Sequence, residues 1–240
     1  MAPKPKMAKS ILVIAAHPDD EILGCGGTIA AHAQAGDEVH VVIMAEGVTS
    51  RSAQRDTAEH QSELDTLAEV ARKANALLGA ASVTLHGLPD NRMDSLDRLD
   101  VIKLIEAEVA RVSPETVYAH HAGDLNIDHR IVHESVLTAC RPKPGHPVRN
   151  LLFFEVASST EWMPPTSAPP FAPNWFVDIS ATLALKLQAL ACYESEMCAW
   201  PHARSVAALE HLARWRGASV GVEAAEAFVL GRRIVELGNA

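Results

Sequence analysis

Apolar positions along the chain fall into two alternating rhythms. Residues 11–16 form an unbroken β-branched and aliphatic run, the pattern of a strand covered on both faces. An Ala-rich helical stretch over 22–35 follows and is stopped by Gly36, and residues 39–45 are the next buried run. The rhythm then repeats: helical periodicity within 52–79 closed by Gly79, a strand over 82–86, a helix over 95–112, a strand over 116–120, a helix over 127–140 and a strand over 151–156. Residues 176–179 read as a last strand, and helices over 182–198 and 206–216 complete the pattern. Strands alternating with helices predict an α/β fold, a mostly parallel sheet flanked by helices on both faces.

Two stretches break the rhythm. Residues 1–9 are rich in Pro and Lys with nothing to bury, so they are expected to be a disordered leader ahead of a single domain over 10–240. The Pro-rich stretch 158–174 can neither continue a helix nor lie inside a sheet. It reads either as a packed surface connection or as a loop that walls a cleft.

Composition changes the picture by exclusion. With 30 acidic against 21 basic residues the formal charge is −9, which disfavours nucleic acid and anionic membrane surfaces as partners. No apolar run approaches the roughly 20 residues of a membrane span. Lys4, Lys6 and Lys9 ahead of 11–16 imitate a signal peptide, but that run is too short and ends in charged residues. Four cysteines without a C-x-x-C pair fit a reducing compartment, so a cytoplasmic protein is expected.

Polar groups cluster where strands end, which is where parallel sheets bind ligands. The string His17-Pro18-Asp19-Asp20-Glu21 directly follows the first strand, and its spacing lets the His17 imidazole and the Asp20 carboxylate close on one ion. Adjacent carboxylates repel unless a cation or proton resolves them, so a metal is the economical reading. A second cluster, His120, His121, Asp124, Asn126, Asp128, His129, Arg130 and His133, follows the fourth strand. His129 and His133 share a helical face as in H-E-x-x-H proteases, but Arg130 stands where that motif needs a glutamate base, so the protease reading fails. His129 joining His17 and Asp20 gives a two-His, one-carboxylate site, which suits Zn²⁺ in a hydrolase and also Fe²⁺ or Co²⁺. His133 then reads as a helix-face residue or as support behind the ligands. The spacing of Gly24, Gly26 and Gly27 does not fit a dinucleotide loop; these glycines are expected to allow close helix packing, and Cys25 to be an inert buried thiol.

Ala15-Ala16-His17-Pro18-Asp19-Asp20-Glu21, with Asp124-Leu125-Asn126-Ile127-Asp128-His129-Arg130 later in the chain, resembles the PIG-L or LmbE-like family of metal-dependent N-deacetylases. Members act on N-acetylglucosamine-containing phosphatidylinositol, thiol glycosides, chitobiose and antibiotic sugars. The resemblance runs over residues 10–233 and implies a Rossmann-like, LmbE-like domain. It implies His17, Asp20 and His129 as zinc ligands, Asp19 as general base and Asp128 as a supporting carboxylate. Many members carry His-Pro-Asp-His, whose first histidine is assigned as the acid that protonates the leaving amine, where this chain has Asn126. An amide side chain can donate a hydrogen bond to an oxyanion or substrate but cannot protonate an amine. His120, His121, His202 or a proton recycled by Asp19 could do that work; Asp19 ranks first, expected to return the proton it takes, assisted by His121 or by His202 of the segment 201–205.

The resulting expectation is a zinc-dependent hydrolase that removes an acetyl or other short acyl group from a small-molecule amino sugar or glycoconjugate. Arg55, His121 and Arg204 are the substrate-binding candidates, although either arginine equally fits an ordinary salt bridge. Trp162 and Trp175 could stack on a sugar or anchor loops. Two other classes remain: a metal-dependent amidase for another N-acyl or thiol-conjugate bond, and a sugar- or nucleotide-binding module without chemistry, which Asp19 argues against. A homo-oligomer is compatible with all three.

Overall fold

The computed structural model describes residues 8–236. Strands β1 (Ser10–Ala15), β2 (Glu38–Ala45), β3 (Ser82–Leu88), β4 (Thr116–His120), β5 (Asn150–Phe154), β6 (Trp175–Asp178) and β7 (Ala225–Arg233) form one sheet in the order β3-β2-β1-β4-β5-β7-β6. β1 to β5 are mutually parallel, and β7 runs antiparallel to both β5 and β6. Alternate residues of the central strands enter opposite cores, Ile11, Val13, Val41 and Ile43 on one side and Leu12, Ile14, Val42 and Met44 on the other. Helices α1 (Asp20–Gln34), α2 (Gln61–Leu77), α5 (Leu183–Leu190) and α6 (Val206–Ala218) cover the first face; α3 (Arg98–Val112) and α4 (Ile127–Ala139) cover the second. Burial on both faces is why the strands read as continuous apolar runs. The fold is α/β and Rossmann-like, and the chain leaves β1 toward β2 on one side while β4 lies on the other. That reversal opens a crevice beyond the carboxyl ends of β1 and β4.

Three expectations need correction. Residues 176–179 are not in the last strand: β7 follows and pairs with β5 and β6. The helix expected over 182–198 ends at Leu190, after which turns lead to Pro201. Lys9, expected to belong to a disordered leader, is instead held by its amide on Asp37 Oδ1, by its carbonyl under the Glu38 amide and by its ammonium on Glu115. Residues 1–7 of that leader lie outside the described residues. Among the described residues, no helix is long and apolar enough to cross a membrane.

Helix α1 carries the first polar cluster and is broken in its second turn, where Cys25 has φ −148° and ψ 25°. The groups released by the break are taken by a buried ion pair. Glu226 of β7 accepts from the Gly27 and Thr28 amides at 2.9 and 2.7 Å, while Lys186 Nζ donates to Leu23 O at 2.8 Å and to Glu226 at 2.5 Å. The glycines serve close approach, as their place in the helix pattern suggested: a Cβ at Gly24 would overlap the buried Phe154 ring, and one at Gly27 would lie 2.7 Å from Ile179 Cδ1. Gly24→Ala is accordingly expected to lower stability by about 1–3 kcal/mol through overpacking, outweighing the ~1 kcal/mol that alanine gains in a helix. Chemical denaturation checks this; a variant as stable as wild type would show that Phe154 can give way.

Candidate active site

The turn between β1 and α1 delivers His17, Asp19 and Asp20 to the crevice. Asp19 occupies the position before α1 that an aspartate normally uses to cap a helix, yet its side chain makes no capping bond and its backbone sits at φ 107°. Its amide is instead taken by Glu21 Oε2 at 3.0 Å. Glu21 is buried and also accepts from Asn75 Nδ2 (2.8 Å) and the Tyr193 hydroxyl (2.7 Å), and burial pushes its carboxyl up to about 7 despite those bonds. A non-glycine residue at positive φ is costly, so the surrounding contacts must hold it. The unusual backbone turns the Asp19 carboxylate away from the helix and toward Arg204, 2.8 Å from Oδ2.

Opposite this turn, the loop after β4 and the start of α4 supply the second set of groups. Asn126 is the N-cap of α4, its Oδ1 accepting from the Asp128 amide at 2.8 Å, which fixes where the first turn and His129 point. His129 Nε2 lies 3.1 Å from Asp20 Oδ2 and 3.3 Å from His17 Nδ1, and His17 Nδ1 lies 3.1 Å from Asp20 Oδ2. The far nitrogen of each imidazole meets carboxylates: His17 Nε2 is 3.1 Å from Asp128 and 3.3 Å from Asp90, and His129 Nδ1 is 3.1 Å from Asp124. For His17 this is the arrangement by which a carboxylate fixes the tautomer of a metal-binding histidine, whereas His129 Nδ1 lies at ion-pair distance from Asp124 without hydrogen-bond geometry.

Two triads have their donor atoms within 4.8 Å of one another, His17 with Asp20 and His129, and His17 with Asp90 and Asp128. The second pair of carboxylates is already occupied. Asp128 accepts the Asn91 and Met93 amides, and Asp90 accepts the Ser50 amide and Asn91 Nδ2. Asp20, by contrast, has a buried Oδ1 with no partner. A divalent cation among His17, Asp20 and His129 satisfies that oxygen and uses imidazole and carboxylate donors that suit zinc, iron or cobalt, so the residues present fit a metal. Electrostatics agree: burial disfavours charge at His129, yet Asp20 and Asp124 raise its pKa to about 9, so a cation is favoured here. Burial likewise opposes ionisation of Asp20 and Asp124, but His129 holds both below the usual carboxylate range.

The other expected residues are distributed unevenly. Arg204 donates through Nη1 to Asp19 and through Nε to the Ser158 hydroxyl at 2.6 Å. Arg55 makes a two-pronged pair with Glu46 at the end of β2. His121 Nδ1 accepts the Gly123 amide, and its ring stands edge-on to Phe171 of the Pro-rich stretch. Burial and the neighbouring His133 lower its pKa. His202 Nδ1 accepts the Arg204 amide, and its ring stands against Trp162, which is half exposed. His133 bonds the His120 carbonyl, Trp175 lies under Arg233, and Cys25 is buried with its thiol pushed up by burial. His120 accepts the Ala16 amide at 2.8 Å and stacks on His129 with ring centres 3.9 Å apart. The sequence reading missed Asp90 and Asn91, which follow β3 and so carried the same end-of-strand signal, and the contacts of Ser158, Ser159 and Thr160, which carried none.

The chain matches the family described as GlcNAc-PI de-N-acetylase (PIG-L) over residues 12–140. It is 29% identical over 193 residues to the uncharacterized deacetylase YaiS of Escherichia coli K12, covering 78% of this chain and 91% of that protein. It is 30% identical over 214 residues to the 4-oxalmesaconate hydratase of Pseudomonas putida KT2440, covering 83% of this chain and 78% of that protein. Among solved structures, the N,N'-diacetylchitobiose deacetylase of Pyrococcus horikoshii shares the fold with a TM-score of 0.75 at 21% identity, covering 94% of this chain and 85% of that one.

Proposed function

The chain belongs to the GlcNAc-PI de-N-acetylase family, and from that premise we propose that it is a zinc-dependent hydrolase that removes an acetyl group from an amino sugar or glycoconjugate. The observation that carries the reading is the convergence of His17, Asp20 and His129 next to Asp19, a carboxylate whose Oδ2 accepts from Arg204. His17, Asp20 and His129 would hold a divalent ion, which would acidify a water and polarise the amide carbonyl. Asp19 Oδ1 accepts the proton of the attacking water, and the proton returns to the departing amine. His202, with Nδ1 used as an acceptor, presents Nε2–H as a donor to the oxyanion or the amine. Asn126 orients the site indirectly: its Nδ2 bonds Asn91 Oδ1 at 2.8 Å while its Oδ1 caps α4 beside Asp128.

Protein purified without added metal is expected to hold about one equivalent of zinc per chain and to release acetate and a primary amine from N-acetylglucosamine conjugates. Elemental analysis and amine detection across a panel of N-acyl sugars check both. Well under half an equivalent of any transition metal, with no activation by zinc, cobalt or iron, would sink the site assignment.

One observation favours a second reading. The similarity to a hydratase over most of the chain fits an enzyme that adds water across an activated double bond, using the same water and the same base. Loss of alkene absorbance from unsaturated oxo-acids, without acetate release from any sugar, would replace the deacetylase reading with this one.

A further inference from the structure

Three consecutive hydroxyls, Ser158, Ser159 and Thr160, lie at the start of the Pro-rich stretch and point to opposite sides of the crevice. Ser158 Oγ accepts from Arg204 Nε at 2.6 Å, and Arg204 in turn holds Asp19. Ser159 Oγ donates to Asp124 Oδ1 and Thr160 Oγ1 donates to Asp124 Oδ2 at 2.6 Å, and Asp124 faces His129 Nδ1. Thr160 Oγ1 also accepts the Val156 amide at 2.8 Å, which commits its proton to Asp124. Ser159, Thr160 and Asp124 are all buried, which shields these bonds from bulk solvent.

The divergence of the hydroxyls has a backbone cause. Ser158 sits at φ 66°, the left-handed region that a non-glycine residue enters at a cost of about 1 kcal/mol or more. A strained residue flanked by buried polar contacts on two functional groups marks a place where geometry is being imposed. We propose that Ser158-Ser159-Thr160 is a positioning device that fixes the base and a metal ligand from one turn: Ser158 holds Asp19 through Arg204, and Ser159 and Thr160 hold His129 through Asp124. The carboxylate of Asp124, pinned by both hydroxyls, places its negative charge 3.1 Å from His129 Nδ1, which favours the proton on that nitrogen and leaves the Nε2 lone pair toward the ion. The proposal rests on the reading of Asp19 as base and His129 as ligand.

The two arms separate in experiment. Ser159→Ala, and its combination with Thr160→Val, are expected to weaken zinc affinity by about 10–100-fold and to alter the visible spectrum of the cobalt form, while Thr160→Ser retains both. Ser158→Gly removes the hydroxyl and relieves the left-handed cost, so the fold is kept. It is expected to keep wild-type zinc affinity, to lower kcat about tenfold with KM little changed, and to expose the Arg204 Nε proton to solvent exchange by NMR. Chelator competition gives the affinities, and near-UV circular dichroism shows each variant folded. Should Thr160→Val fail to fold, Ser159→Ala alone decides that arm. Wild-type zinc affinity in Ser159→Ala, or wild-type kcat with a protected Arg204 proton in Ser158→Gly, would overturn the proposal. A wild-type protein that hydrolyses no N-acyl sugar would overturn the proposed function instead, leaving zinc affinity and proton exchange to judge the device.

Discussion

Asp19→Asn is expected to keep its zinc and lose about 10²–10⁴-fold in kcat, whereas Asp20→Ala loses metal and activity together. The two residues are adjacent but differ in what they face. Asp20 lies 3.1 Å from both His17 Nδ1 and His129 Nε2 and has a buried oxygen without a protein partner, which a bound ion would satisfy. The Asp19 carboxylate meets Arg204 instead, and its backbone is held at positive φ by Glu21. An asparagine at this position can still accept the Arg204 hydrogen bond through its amide oxygen, so the fold and the neighbouring ligands are retained while the proton acceptor is gone. Zinc content by elemental analysis and kcat on an N-acetyl sugar are measured on the same preparation. Near wild-type turnover in Asp19→Asn would show that another group activates the water. Loss of metal from it would show that the two carboxylates act as one ligand pair.

This distinction was half legible in the sequence. The strings 17–21 and 124–130 are local, and strand runs buried on both faces announce that their carboxyl ends meet at a crevice, so His17, Asp20 and His129 could be brought together before any coordinates. What holds them is not local. Asn75 and Tyr193 reach Glu21 across 54 and 172 residues, Arg204 reaches Asp19 across 185, and Ser159 and Thr160 reach Asp124 across 35 and 36. Serine, threonine and asparagine at such positions look like ordinary loop and helix residues, because nothing in their neighbours signals the partner. Arg204 fitted a substrate contact and an ordinary salt bridge equally well for the same reason: its partner Asp19 lies far away in the chain. The missed strand has a related cause: Ala225-Glu226-Ala227-Phe228 places an acid inside an apolar run, which argues against a buried strand unless the acid has partners.

Those partners make Lys186→Met the substitution with the largest expected effect on stability. Lys186 and Glu226 are both buried, and Lys186 Nζ meets Glu226 at 2.5 Å and the Leu23 carbonyl at 2.8 Å. Removing one member of a buried pair leaves the other charge without compensation, a loss of about 3–5 kcal/mol. At this chain length that corresponds to a fall in Tm of roughly 6–20 °C. Replacing Glu226 by Gln as well removes the stranded charge while leaving an oxygen for the Gly27 or Thr28 amide, so the double variant is expected to recover part of the loss. Because the pair satisfies the break in α1, and α1 begins at Asp20, the single variant should also bind zinc more weakly even where it remains folded. Thermal unfolding of the apo and zinc-loaded forms reads both effects. A Lys186→Met protein as stable as wild type would mean that Glu226 is adequately held by the two backbone amides alone. A double variant no better than the single one would mean that the lysine contributes through its contact with Leu23 and its packing rather than through charge.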